Sequence, residues 1–172
     1  CYKVTKKNIT FISYMGINDF SKNLKLMLSE IAEFNRSAAL TSALDGIALI
    51  RKRVQTDRKT VDGSSFGTYN PTYFKYKKQK LSSNSNINWT ATGRTMSDLA
   101  PVITKDNGVE VEVTMKPKTA IYVERLGFLE ALQKRKSRDP RIIELSKQEL
   151  EIVLEIYLEE YFEFLKKYNM VK

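Results

Sequence analysis

The sequence predicts an α+β fold: a small antiparallel sheet packed by an N-terminal helical pair and a long C-terminal helix, with a long projecting loop between the helices and the sheet. Three observations carry this reading. Phe20, Leu24, Met27, Ile31, Phe34 and Ala38 recur at alternating spacings of four and three, the period of one helix face. Val109, Val111, Val113 and Met115 alternate with Glu110, Glu112, Thr114 and Lys116, the pattern of a half-buried strand. Near the end, from about Ser146 to Tyr168, Leu150, Val153, Leu154, Tyr157, Leu158, Tyr161, Leu165 and Tyr168 share one broad face with glutamates opposite. A chain of 172 residues, 42% of them hydrophobic, suits a single domain with a packed core.

Within 1–18, Ile9-Thr10-Phe11-Ile12-Ser13 reads as a short strand or arm. Asn18 or Asp19 then caps the first helix of a pair covering 19–55. Continuing that helix's register would bury Thr41 and Asp45, whereas Leu40, Leu44, Ile47 and Val54 define a shifted face, so a bend near Asn35-Arg36-Ser37 is expected, with Ser37 as a new cap. From 56 to 92 no period survives for long, and loops of that length are functional or disordered more often than structural. Its aromatics argue for a partner surface, and a turn or two of helix after Pro71 would bring Tyr69, Tyr73, Tyr76 and Lys80 onto one face. The Ser/Asn-rich spacer 82–88 is the stretch expected to move most.

Within 93–127, Met96, Leu99 and Ala100 suggest a helical turn, and Pro101-Val102-Ile103-Thr104 starts a strand. Asn107-Gly108 suits a type I′ hairpin turn into the valine strand. Ala120-Ile121-Tyr122-Val123 reads as a third short extended piece. The region 128–172 ends in the long helix, where Ile152, Ile156 and Phe164 widen the apolar face beyond what one sheet needs, pointing to a second contact surface.

Charge is polarised along the chain. Between 51 and 80, nine basic residues against two acids give +7 of the net +9. A second basic knot, Lys134-Arg135-Lys136-Ser137-Arg138, lies near Arg141, while four lysines against seven glutamates leave 142–172 at −3. Such polarity serves phosphate binding, contact between basic and acidic faces of neighbouring copies, or nothing beyond solvation. With no histidine and Cys1 as the single cysteine, the commonest general base, the usual zinc ligands and any internal disulfide are missing. Glu110 with Glu112, and Glu159 with Glu160, are paired acids on solvated faces, and Ser64, Ser65 and Thr92 lack an activating base. We therefore expect no enzyme, no cofactor and no metal. No apolar run reaches the roughly 18 residues of a membrane span, so a soluble intracellular product is expected, with the non-Met start pointing to processing or trimming.

The Tyr/Lys run 69–80 fits either a protein interface or single-stranded nucleic acid. It lacks a regular aromatic platform, which favours the interface. Candidate subunit-interface residues are Phe66, Tyr69, Tyr73, Tyr76, Lys77 and Trp89; candidate electrostatic residues, facing a DNA channel or a neighbour, are Arg51, Lys52, Arg53, Lys75, Lys78 and Lys80.

The order of signals resembles the neck, tail-completion and virion-morphogenesis proteins of tailed bacteriophages. The resemblance rests on Asp62, Gly63, Phe66, Tyr69, Pro71, Tyr73, Lys77, Thr92, Gly93, Met96, Tyr122, Val123, Glu124 and Gly127, followed by the Arg138-Asp139-Pro140-Arg141 passage into the last helix. It covers roughly residues 20 to 168, and the closing helix is longer and more aromatic than the family pattern. The resemblance implies a non-enzymatic structural protein of the virion, assembled in the host cytoplasm. It further implies a homo-oligomeric ring at the head–tail joint that touches portal- or adaptor-side and tail-side proteins and surrounds channel DNA, with no membrane contact. The alternative is a basic nucleic-acid-binding protein acting through 51–80.

Overall fold

The structure, a computed structural model, describes residues 16–80 and 94–171, apart from the side chains of 77–80. The strand expected at Ile9–Ser13, the spacer 82–88, Trp89, Thr92 and Gly93 lie outside the described residues.

Helix α1 runs unbroken over Ile17–Arg51, about 50 Å of helix. It starts from Gly16 rather than from Asn18 or Asp19, and Asp19 sits in the first turn, where its charge complements the helix dipole. The helical pair with a bend at 35–37 is thus a single helix. Its apolar face shifts because its neighbours change along its length. Asn35 and Arg36, the residues that suggested a break, reach sideways to the hairpin tip: Asn35 Nδ2 donates to the Gly108 and Val109 carbonyls at 3.3 and 3.2 Å, and Arg36 pairs with Asp106 at 2.6 Å. After Arg51 the chain continues as a π-helical turn, Lys52–Asp57, ended by Arg58 at φ 59°.

The front of the expected projecting loop folds back onto the core. Thr60 and Phe66 are fully buried, and Lys59 bridges to Ser65 across a tight turn at Asp62-Gly63. That turn is held by the Asp62 carboxylate, which accepts from the Thr60 hydroxyl and from the Ser64 amide, and by Gly63 at φ +82°. Helix α2, Pro71–Lys80, is the expected helix after Pro71. Asn70 Oδ1 accepts from the Thr72 amide at 2.9 Å while Pro71 takes the first helical position.

A short helix α3, Arg94–Ser97, leads into β1, Leu99–Asp106, which pairs antiparallel with β2, Val111–Pro117. The register sets Val102 opposite Thr114 and Ile103 opposite Val113, with an irregularity at Thr104. On β2 the expected alternation holds from Val111 onward, but Val109 belongs to the connecting loop. The turn is not type I′, because Gly108 alone has positive φ there. Asn107 instead closes a four-residue loop, its side chain accepting from the Val109 and Glu110 amides at 3.1 and 2.7 Å.

The extended piece expected at 120–123 is the first turn of helix α4, Ala120–Arg135. Asp98 accepts from the Thr119 amide at 2.8 Å and hydroxyl at 3.1 Å, fixing Thr119 as the N-cap, and the helical spacing of Leu126, Leu129 and Gln133 overrides the strand preference of Ile121 and Val123. Helix α5, Lys147–Lys167, is the expected closing helix, and it starts at a full capping box between Ser146 and Glu149.

The core lies against the C-terminal half of α1, where Ile47, Ile50, Val54, Phe66, Met96, Leu99, Leu126 and Ile142 form one cluster. Helix α5 runs antiparallel to α1: Arg53 meets Glu149 at one end and Lys167 meets Glu30 at the other. The hairpin occupies a second side of α1 and reaches back as far as Ala32. Toward the α1 N-terminus the two helices are joined mainly by aromatics, with Phe34 stacked on Phe164 at 4.2 Å and tilted against Tyr161 at 6.0 Å.

Candidate functional site

Among the candidate interface residues, the tyrosines come together and the phenylalanine does not. Tyr69 packs against the core and supports Tyr73 at 5.1 Å between ring centroids, and Tyr73 in turn meets Tyr76 at 6.2 Å. The outer two rings are exposed, Tyr76 at 52%. Phe66, in contrast, has no exposed surface and fills this chain's own core, so it is corrected from interface anchor to core residue. The Phe66 carbonyl accepts from Arg138, whose guanidinium lies over Gly67 (φ +83°). Lys77, Lys78 and Lys80 lie on α2, their side chains outside the described atoms, as is Trp89 altogether.

The basic residues divide in the same way. Arg51 caps the start of the sheet region, donating to the carbonyls of Met96 at 2.8 Å, Ser97 at 3.0 Å and Leu99 at 3.2 Å. Arg53 is buried, with Nε donating to both Glu149 oxygens at 2.9 and 3.0 Å and the remaining nitrogens to the carbonyls of Lys59, Ile142 and Glu144. It is corrected from an electrostatic guide to a structural node, because its charge is neutralised and its donors are satisfied inside the protein. Lys52 and Lys75 are exposed. Lys52, Lys59, Lys147 and Asp57 rim an open cleft of ≈ 660 Å³ beside the Arg53–Glu149 pair.

The Arg53–Glu149 node was not legible beforehand. Ser146 followed by Glu149 is the capping-box pattern and could have marked the helix start. Nothing local could have paired Glu149 with an arginine 96 residues earlier. The node joins the π-helical turn, the 59–66 turn, the segment before α5 and α5 itself, so it fixes where α5 leaves the core.

Among the described residues, an exposed apolar surface runs along α5. Leu150, Leu154, Leu158 and Phe162 are all between 45 and 50% exposed and recur every four residues, forming one ridge. The next ridge, one residue on, is Glu151, Glu155, Glu159 and Glu163, all exposed. Glu163 pairs with Lys166 at 2.5 Å; among the described residues the other three make no ion pair. Like charges four apart on a helix destabilise it by a few tenths of a kcal/mol per pair, about 0.2–0.5. A Leu ridge beside a Glu ridge therefore has no benefit for the isolated subunit. This is the surplus apolar face noted from Ile152, Ile156 and Phe164, but its members differ. Ile156 and Phe164 turn partly inward, Ile152 lies on the cleft, and the exposed ridge is the leucine series. On α4, Ile121 and Phe128 are also exposed, at helical spacing on one face.

The Thr60 hydroxyl and the Ser64 groups hold Asp62 down to about 2, and the Arg141 guanidinium holds Asp139 below the usual carboxylate range. Burial pushes Glu130 up, partly offset by the Ile142 amide. Among the described residues no three Cys, Asp or Glu side chains converge to hold a metal ion, and no helix is long and apolar enough to cross a membrane. No family model, curated protein or solved structure matches the chain.

Proposed function

We propose that the chain is a non-enzymatic structural subunit of a tailed-bacteriophage virion, forming an oligomeric ring at the head–tail neck or completing the tail for head-to-tail joining. The observation that carries the reading is the exposed Leu150–Phe162 ridge on a subunit whose opposite charges are segregated. A ridge of that size, left uncovered beside a row of exposed glutamates, is a surface for another protein chain. The ordered motif run from Asp62 to Gly127 narrows the proposed class of assembly to the phage neck and tail-completion proteins that it resembles.

The competing nucleic-acid reading depends on the 51–80 cations, and two of these are engaged inside the protein: Arg51 by backbone carbonyls and Arg53 by Glu149. The remaining cations suit a ring lining as well as a neighbour's acidic face. Mass spectrometry and antibody labelling of tailed particles made with the chain present test the proposal. The expected result is several copies per particle, labelled at the head–tail joint; particles complete and infectious without it would overturn it.

A further inference from the structure

We infer that helix α4 of one copy packs antiparallel on α5 of the next, laying Ile121 and Phe128 on the Leu150–Phe162 ridge and setting Arg125 and Lys136 against the neighbouring glutamates. This rests on the ring reading and specifies the contact that would build the ring. The acceptor is the ridge pair on α5, apolar on one row and acidic on the row beside it. Its charge repels nucleic acid and an anionic lipid surface, and calls for a protein face with apolar side chains at the centre and cations along one edge.

The outward side of α4 has that form. Leu126 and Gln133 face the core, which turns Ile121 and Phe128 to solvent at 64 and 63% exposure. At about 100° per residue, Arg125 and Lys136 fall on one side of the Ile121–Phe128 line, and Glu124, Gly127 and Ala131 on the other. Arg125 and Lys136 are exposed and make no ion pair among the described residues. A side chain at Gly127 would meet nothing within 4 Å, so the second side is open to a close neighbour. The handedness of the two helices sets their direction. Antiparallel packing brings the Arg125 side of α4 against the glutamate row and turns the Glu124 side toward the α1 that flanks α5. Parallel packing reverses the two and sets Glu124 among glutamates. Lengths match: the step from Ile121 to Lys136 spans about 22 Å, and that from Leu150 to Phe162 about 18 Å. Donor and acceptor are different patches of the same surface, so the contact is heterologous, head to tail. Repeated, it closes into a ring if the rotation per copy divides a full turn.

The test uses the full chain in two charge-swap variants, Glu155→Lys/Glu159→Lys on the acceptor and Arg125→Glu/Lys136→Glu on the donor, and in a third that carries all four swaps. All four positions are exposed, and circular dichroism of each variant verifies that it is folded. Sedimentation velocity is expected to show each two-site variant associating at least about tenfold more weakly than the unaltered chain, because like charges then face each other across the contact. The four-site variant should recover the assembly, since its charges are again complementary. Phe128→Asp, at a side chain already mostly in solvent, tests the apolar centre separately and should abolish association with helix content retained. If the unaltered chain assembles and either two-site variant or Phe128→Asp assembles as well as it does, or the four-site variant fails to recover, this contact is wrong while the ring reading stands. If the unaltered chain does not assemble at any concentration, the ring reading itself falls, and this inference with it.

Discussion

Replacing Arg53 with Met removes a guanidinium that holds four segments together, and the cost can be worked from its surroundings. Arg53 and Glu149 keep only 8% and 10% of their side-chain surface exposed. Without the guanidinium, the Glu149 carboxylate retains the Ser146 amide at 2.7 Å but no counter-charge, and the carbonyls of Lys59, Ile142 and Glu144 lose their donor. Breaking a buried pair from one side costs about 3–5 kcal/mol, against about 5–15 kcal/mol for the whole stability of a domain this size. Urea unfolding followed at 222 nm reads the loss as a lowered midpoint at unchanged slope. Measuring at two protein concentrations separates it from any change in association. A second variant, Arg53→Met/Glu149→Leu, should recover most of the loss, since a well-packed apolar pair can replace a buried ion pair at little cost. A loss below about 1 kcal/mol for the single variant would refute the assignment of Arg53 as a structural node and return it to the exposed cations.

Other outcomes follow from the same packing. Phe66→Ala should cost about 3–5 kcal/mol in the same urea assay, whereas Tyr76→Ala should leave stability nearly unchanged. Gly67→Ala should destabilise by about 1–3 kcal/mol, because φ +83° disfavours any Cβ and one placed there would overlap the Arg138 guanidinium. Asp62 at about 2, with Asp106, Asp139 and Glu30 also lowered by their hydrogen-bond partners, binds protons less readily folded than unfolded. The stability these groups add is therefore complete above about pH 4 and lost as pH falls toward about 2, so the urea midpoint should drop across that window, with Glu130, raised by burial, opposing it in part.

Much of the fold was legible because its signals are local. Strict alternation located β2, one broad apolar face with glutamates opposite located α5, and Pro71 marked α2. The errors came where distant partners decide the outcome. Asn35 and Arg36 looked like a helix break because their contacts, Gly108 and Asp106, lie some seventy residues away in sequence. Ala120–Val123 has strand-forming side chains, but Asp98 caps Thr119 and starts a helix there. The candidate site shows the same division. The tyrosine ladder is a matter of helical spacing and could be read from 69, 73 and 76. Whether Phe66 or Arg53 faces a neighbour or the core depends on Ile142, Glu149 and Arg138, all supplied by the last third of the chain. The leucine and glutamate ridges of α5 were present in the spacing, yet which apolar row stays uncovered becomes visible only once α1 has taken the other.

Self-assembly is checked by native mass spectrometry of the purified full chain. The expected spectrum shows one closed oligomer of several copies at micromolar concentration, reduced to monomer by Leu154→Asp/Leu158→Asp with helix content retained. A monomer at every concentration, with the leucine ridge intact, would contradict it.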